Sequence, residues 1–232
     1  MEGRTVLPAP RIALGLGLVS LAVCAGSFLG QYSKLVLEHD NVFGLVPLLH
    51  VDSEGNLPAW LSSAMLLGVA ALAALTASAA GRRGDRLARY WWVLACIFLF
   101  LSLDEVSEAH EQLIHPLRYA LDLSGAFYWS WVIVGLAVVP AVGLAFIPFL
   151  RALPRRTTVL LVVAGGVYVA GALGLEMASG YYYSNRWERD LGYQLITTVE
   201  ELLEMQGTVL FLYGVLDHMR RESVEARVTV AR

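Results

Sequence analysis

Six apolar runs alternate with short polar segments along the chain. They lie near residues 11–30, 57–80, 90–111, 127–150, 157–179 and 195–216. Each is long enough to cross roughly 30 Å of hydrocarbon as a tilted helix. The pattern predicts an all-α, polytopic membrane bundle of six transmembrane helices, forming one integral membrane domain over residues 1–232. The segments between the runs alternate in charge. Arg4 and Arg11 precede the first run. Arg82, Arg83, Arg86 and Arg89 follow the second, Arg151, Arg155 and Arg156 follow the fourth, and His218, Arg220 and Arg221 follow the sixth. The other three segments are acidic or mixed, carrying Glu38, Asp40, Asp52 and Glu54, then Arg118 and Asp122, then Arg186, Glu188, Arg189 and Asp190. Basic segments face the cytoplasm, so both termini are expected there. The first run reads as a span rather than a cleaved leader, because it is long for a signal core and Val23 suits a cleavage site poorly. The end of the chain, from Glu222 to Arg232, reads as a polar tail.

Composition agrees with a lipid solvent. The chain is 57% hydrophobic and only 16% charged, with a mean hydropathy of +0.59. A soluble domain of this length carries more charge. Cys24 and Cys96 fall in apolar runs at different expected depths, which argues against a disulfide. No phosphate loop, dinucleotide fingerprint or nucleic-acid patch is present in the sequence.

The third run changes the picture. From Tyr90 to Leu103 it rises only about 21 Å as a helix, so it must carry carboxylates into the membrane. Ionisable groups there are costly and point to function. On one helical wheel Asp104, Glu108, Glu111 and His115 fall within about 60° of one another, while Glu105 and His110 point elsewhere. Helical rise puts Asp104 and Glu204 at one level, about 20 Å from the basic face. Glu108, Glu176 and Glu200 share another, at roughly 26–28 Å. Glu200 and Glu201 could instead be ordinary acids favoured by the first turns of their helix. Others could pair with Arg118, Arg186 or Arg189. That reading fails for the third run, whose outer end is a helix C-terminus and disfavours anions.

Acids facing one another across a bundle must be protonated, paired with cations or bound to metal. The expected ligands of a divalent metal ion (Fe, Mn, Mg, Ca or Zn) are Asp104, Glu108, Glu176, Glu200 and Glu204. Glu111 and His115 are the expected general base or outer-sphere partners. The Glu-x-x-His pair of di-iron carboxylate bundles is absent, since Glu111 and His115 are four apart.

Two motifs, Leu103-Asp104-Glu105 with His110-Glu111, and Val199-Glu200-Glu201-Leu202-Leu203-Glu204-Met205-Gln206-Gly207, resemble a pattern in uncharacterised bacterial multi-span membrane proteins. The resemblance implies that these motifs belong together, in a group with no known activity; the spans themselves lead to the expectation of a multi-pass protein of the bacterial plasma (inner) membrane. The leading expectation is a metal-dependent membrane enzyme acting on a lipid-soluble substrate, with the lipid bilayer as its surroundings and no nucleic-acid partner. The alternatives are a proton- or cation-coupled transporter, or a binding or assembly subunit of a homo-oligomer or membrane complex.

Overall fold

A computed structural model describes residues 8–222, so Arg4 and the tail beyond Glu222 lie outside the described residues. Among the described residues the chain is helical throughout, with no strand. Six long helices carry the architecture: α1 (Ala9–Val36), α2 (Leu57–Arg82), α3 (Ala88–Ser107), α4 (Val132–Ala152), α5 (Arg155–Arg186) and α6 (Leu191–Arg221). The first five are long and apolar enough to cross a membrane. α6 matches them in length at 31 residues, but its carboxyls make it less apolar.

Local chemistry sets several of the helix ends. Asn56 caps α2, its side chain accepting from the Ala59 N–H at 3.1 Å. Asp190 caps α6 in the same way through the Tyr193 N–H at 3.0 Å. α3 stops earlier than its apolar run suggests. Glu108 turns left-handed at φ 50°, and its N–H closes the helix on the Asp104 carbonyl at 2.8 Å. The third span therefore ends at Ser107 and not at residue 111. Glu111 and His115 belong to a short 3₁₀ turn (Glu111–Leu113) and a short helix (Ile114–Leu121). They do not continue the Asp104 stripe, because the single helix that would have aligned them is broken at Glu108.

The interior is divided. α6 packs against α1, α2 and α5, and α2 packs along α3. Near the arginine-rich segments Val69 and Ala73 of α2, Trp91 and Phe98 of α3, Phe149 of α4 and Val215 of α6 form one apolar core. Its aromatic rings interlock, with Trp91 and Phe149 edge to face at 5.1 Å. The outside is also apolar. Leu14, Leu18, Trp60, Leu67, Leu144 and Val162 are each about half exposed or more. A greasy belt of this extent suits lipid rather than water.

α5 is not a regular helix. Ala170–Leu175 is wound as a π-helix, and Gly171 within it lies against α6. A Cβ on Gly171 would fall 2.8 Å from the Glu200 carbonyl oxygen. The missing side chain lets the two backbones touch at the turn that carries Glu200 and Glu204. The same approach brings Glu176, the residue after the π segment, to face α6.

Candidate acidic cavity

The opposite half of the bundle is hollow. A cavity of about 1190 Å³ opens between α3, α4, α5 and α6 and the segments beyond them. Ten carboxyl side chains line it, against two guanidinium groups, Arg118 and Arg189. Asp104, Glu108, Glu111, Glu176, Glu200, Glu204 and His115 all reach this space. Glu105, assigned by the helical wheel to another face, lines it too, as does Glu201.

Glu200 is the most constrained of these acids. It is 8% exposed, and its Oε2 is buried without a hydrogen-bond partner. Its carboxyl lies against that of Glu176. Glu176 Oε1 accepts from the Trp131 indole N–H at 2.8 Å. Glu204, one turn along α6, faces the Tyr168 hydroxyl and lies near Glu105 and Glu176. Among the described residues no Lys, Arg or His stands within 4 Å of Glu105, Glu176, Glu200, Glu201 or Glu204 as an ion-pair partner. The basic groups that could have neutralised them are engaged elsewhere. Arg189 binds Asp52 at 3.1 Å, Arg186 reaches Asp190 at 3.4 Å, and Arg118 donates to His115 Nδ1 at 3.1 Å. A buried carboxyl with no partner is costly, so the arrangement asks for a positive counterpart.

Asp104 is satisfied within the chain. Its Oδ2 accepts from His110 Nδ1 at 2.8 Å, and its Oδ1 accepts from the His110 backbone N–H at 3.0 Å. The break at Glu108 folds His110 back over the end of α3, which is why a continuous-helix wheel sends it the wrong way. The result is an Asp–His dyad on the cavity wall, with the His110 ring against Trp131 at 4.7 Å. A carboxylate on Nδ1 fixes the tautomer and leaves Nε2 available for proton transfer. His115, by contrast, is exposed and held by Arg118. Of the loop histidines, His39 is exposed and His50 is bonded to Gln194 at 3.1 Å.

As placed, no three His, Cys, Asp or Glu side chains among the described residues stand in a group that could hold a metal ion. Glu176 and Glu200 meet, while the other acids are distributed around the cavity. Cys24 is buried and Cys96 exposed, and both thiols are free.

The rim outside the spans carries a titration signature. Burial pushes Asp52 up to about 6, against the pull of Arg189. An acid that holds its proton more tightly folded than unfolded stabilises the fold at low pH. That contribution is full below the ordinary carboxyl range near 4 and is lost as pH rises through about 6. The melting temperature of the wild type is expected to fall between pH 4 and 6, and Asp52→Asn is expected to flatten that slope. A slope unchanged by the substitution would remove Asp52 as its source.

The fold and the cavity define a class: a helical protein with membrane-length helices enclosing an acid-lined hollow. Within that class, the chain belongs to the family described as Domain of unknown function (DUF8692), which matches residues 12–219. No curated protein and no solved structure matches the chain.

Proposed function

We propose that the chain is an integral membrane protein of six spans with both termini in the cytoplasm, and that its outward-facing cavity binds a divalent cation and serves a metal-dependent reaction on a lipid-soluble substrate. The observation that carries this reading is Glu200, a nearly buried carboxyl on α6 with one oxygen unpartnered, set against Glu176 in the cavity wall. α6 is the sixth span. Its charged face is turned to the cavity, and polar side chains in a membrane are tolerated where they face such a space.

Glu176, Glu200 and Glu204 are the proposed ligands, with Glu204 reaching the other two by a change of rotamer. Hard oxygen donors of this kind suit Mg, Mn, Ca or Fe. His110, oriented by Asp104, is the proposed general acid–base group in place of Glu111 or His115, because it is the histidine on the wall with a fixed tautomer. A bound metal would polarise a substrate oxygen or lower the pKa of a water molecule beside it.

Elemental analysis of protein purified without chelator tests this reading. About one equivalent of a divalent metal per chain is expected, falling to background in Glu176→Gln and Glu200→Gln. Metal-free wild type that also fails to take up Mg, Mn, Ca or Fe on dialysis would overturn it.

A further inference from the structure

The cavity reaches the seam between α3 and α4. α3 and α4 meet at one end through an aromatic cluster, with Tyr90 against Phe146 at 5.6 Å and Phe149 at 5.3 Å. At the other end the turn beyond α3 meets the residue before α4, the His110 ring lying 4.7 Å from Trp131. Between these two closures they face each other across the hollow. Phe100 and Leu101 of α3 and Val134, Val138 and Val139 of α4 line it. Several of the same residues are exposed, Phe100 at 61%, Val138 at 50% and Val134 at 39%. The stretch of α4 from Trp131 to Val139 runs about 12 Å along this gap.

Phe100, Leu101, Val134, Val138 and Val139 are apolar, and Asp104 and Glu105 follow one turn further along α3. Even with both guanidinium groups and one divalent ion counted, carboxyls remain in excess among the ten on the cavity wall. An anionic head would meet that excess and be repelled, and a cationic head would complement it.

We propose that the gap between α3 and α4 is a lateral entrance for a single-chain cationic amphiphile from the surrounding bilayer. Its alkyl chain lies between Phe100 and Val138 while its amine enters among the carboxyls. The inference rests on the reading of the cavity as a cation site and names the class of molecule that reaches it. The chain never leaves an apolar environment on this route, so transfer avoids the cost of exposing it to water. The head exchanges interfacial water for carboxylates that lack partners.

Photolabelling in lipid nanodiscs tests the entrance, with a diazirine-bearing hexadecylamine and the matching hexadecyl phosphate as probes. The amine is expected to label Phe100, Leu101, Val134 and Val138 in preference to the other lipid-facing helices, and to do so about tenfold more than the phosphate. Val138→Trp fills the gap and is expected to lower labelling about tenfold, while Leu144→Trp, on the outer belt, leaves it unchanged. If Val138→Trp melts at a lower temperature than wild type, Val134→Phe replaces it. Amine labelling spread evenly over all lipid-facing helices, or equal labelling by the phosphate, would overturn the entrance. Metal content of the same samples separates the two ideas. Scattered labelling with metal retained removes the entrance alone. Focused amine labelling with no metal removes the metal reading and keeps the entrance.

Discussion

Gly207→Ala is expected to destabilise the protein by about 2–3 kcal/mol, more than other single-methyl additions in the bundle. A Cβ at this position would lie 2.6 Å from the Tyr168 backbone nitrogen and 2.8 Å from its Cα. The obstacle is main chain, so no rotamer change relieves it, and α5 must move away from α6. Tyr168 lies just before the π segment that carries Glu176 to Glu200. The same displacement would therefore open the acid pair as well as the packing. Gly166→Ala is the control. Nothing lies within 4 Å of its added methyl, and the gain in helix propensity makes it neutral or stabilising by up to about 1 kcal/mol. Thermal unfolding in detergent, followed by tryptophan fluorescence, compares them. Equal melting temperatures for the two variants would contradict the close approach of α5 and α6.

Glu200→Gln is expected to have effects of opposite sign with and without metal. In metal-free protein the substitution should raise stability by about 1–3 kcal/mol, because it removes a buried acid with one unpartnered oxygen that lies against Glu176. In saturating metal the order should reverse. A ligand at a thousand times its dissociation constant stabilises the wild type by about 4.1 kcal/mol, more than the substitution gains, and a variant that no longer binds loses that term. Strain held in an unliganded site and relieved on binding is the usual cost of a functional constellation. A simple structural acid would show one sign under both conditions. Melting temperatures of both proteins, with chelator and with excess metal, decide between them.

The sequence carried the architecture well at the level of helices and poorly at their ends. Runs of apolar residues of membrane length locate α1 to α5 because lipid leaves the backbone no alternative to internal hydrogen bonding. α6 was legible from its length, although its carboxyls dilute its hydropathy. The end of α3 was not. A left-handed Glu108 has no glycine or asparagine to announce it, so the wheel was extended past a helix that stops at Ser107. That one error misplaced His110, whose bond to Asp104 depends on the chain doubling back. Depth matching along straight helices brought Glu176 level with Glu200, and the two do meet. It could not foresee the π segment, which shifts the register of everything after Ala170. The signal that was available lay in Gly171 and Gly174, small residues just ahead of Glu176 that permit close approach of two helices. The wheel also set aside Glu105. It and Glu201 both line the cavity, because a hollow of this size is bordered by more than one face of each helix.

The most direct test of the central claim is a titration of metal-free protein with Mn²⁺, with free ion measured by electron paramagnetic resonance. Wild type is expected to bind one Mn²⁺ per chain, and Glu200→Gln to weaken that binding at least about tenfold, while Glu188→Gln, outside the cavity lining, does not. Equal binding by all three proteins, or none by the wild type, would contradict the claim that the acids around Glu200 share a bound cation.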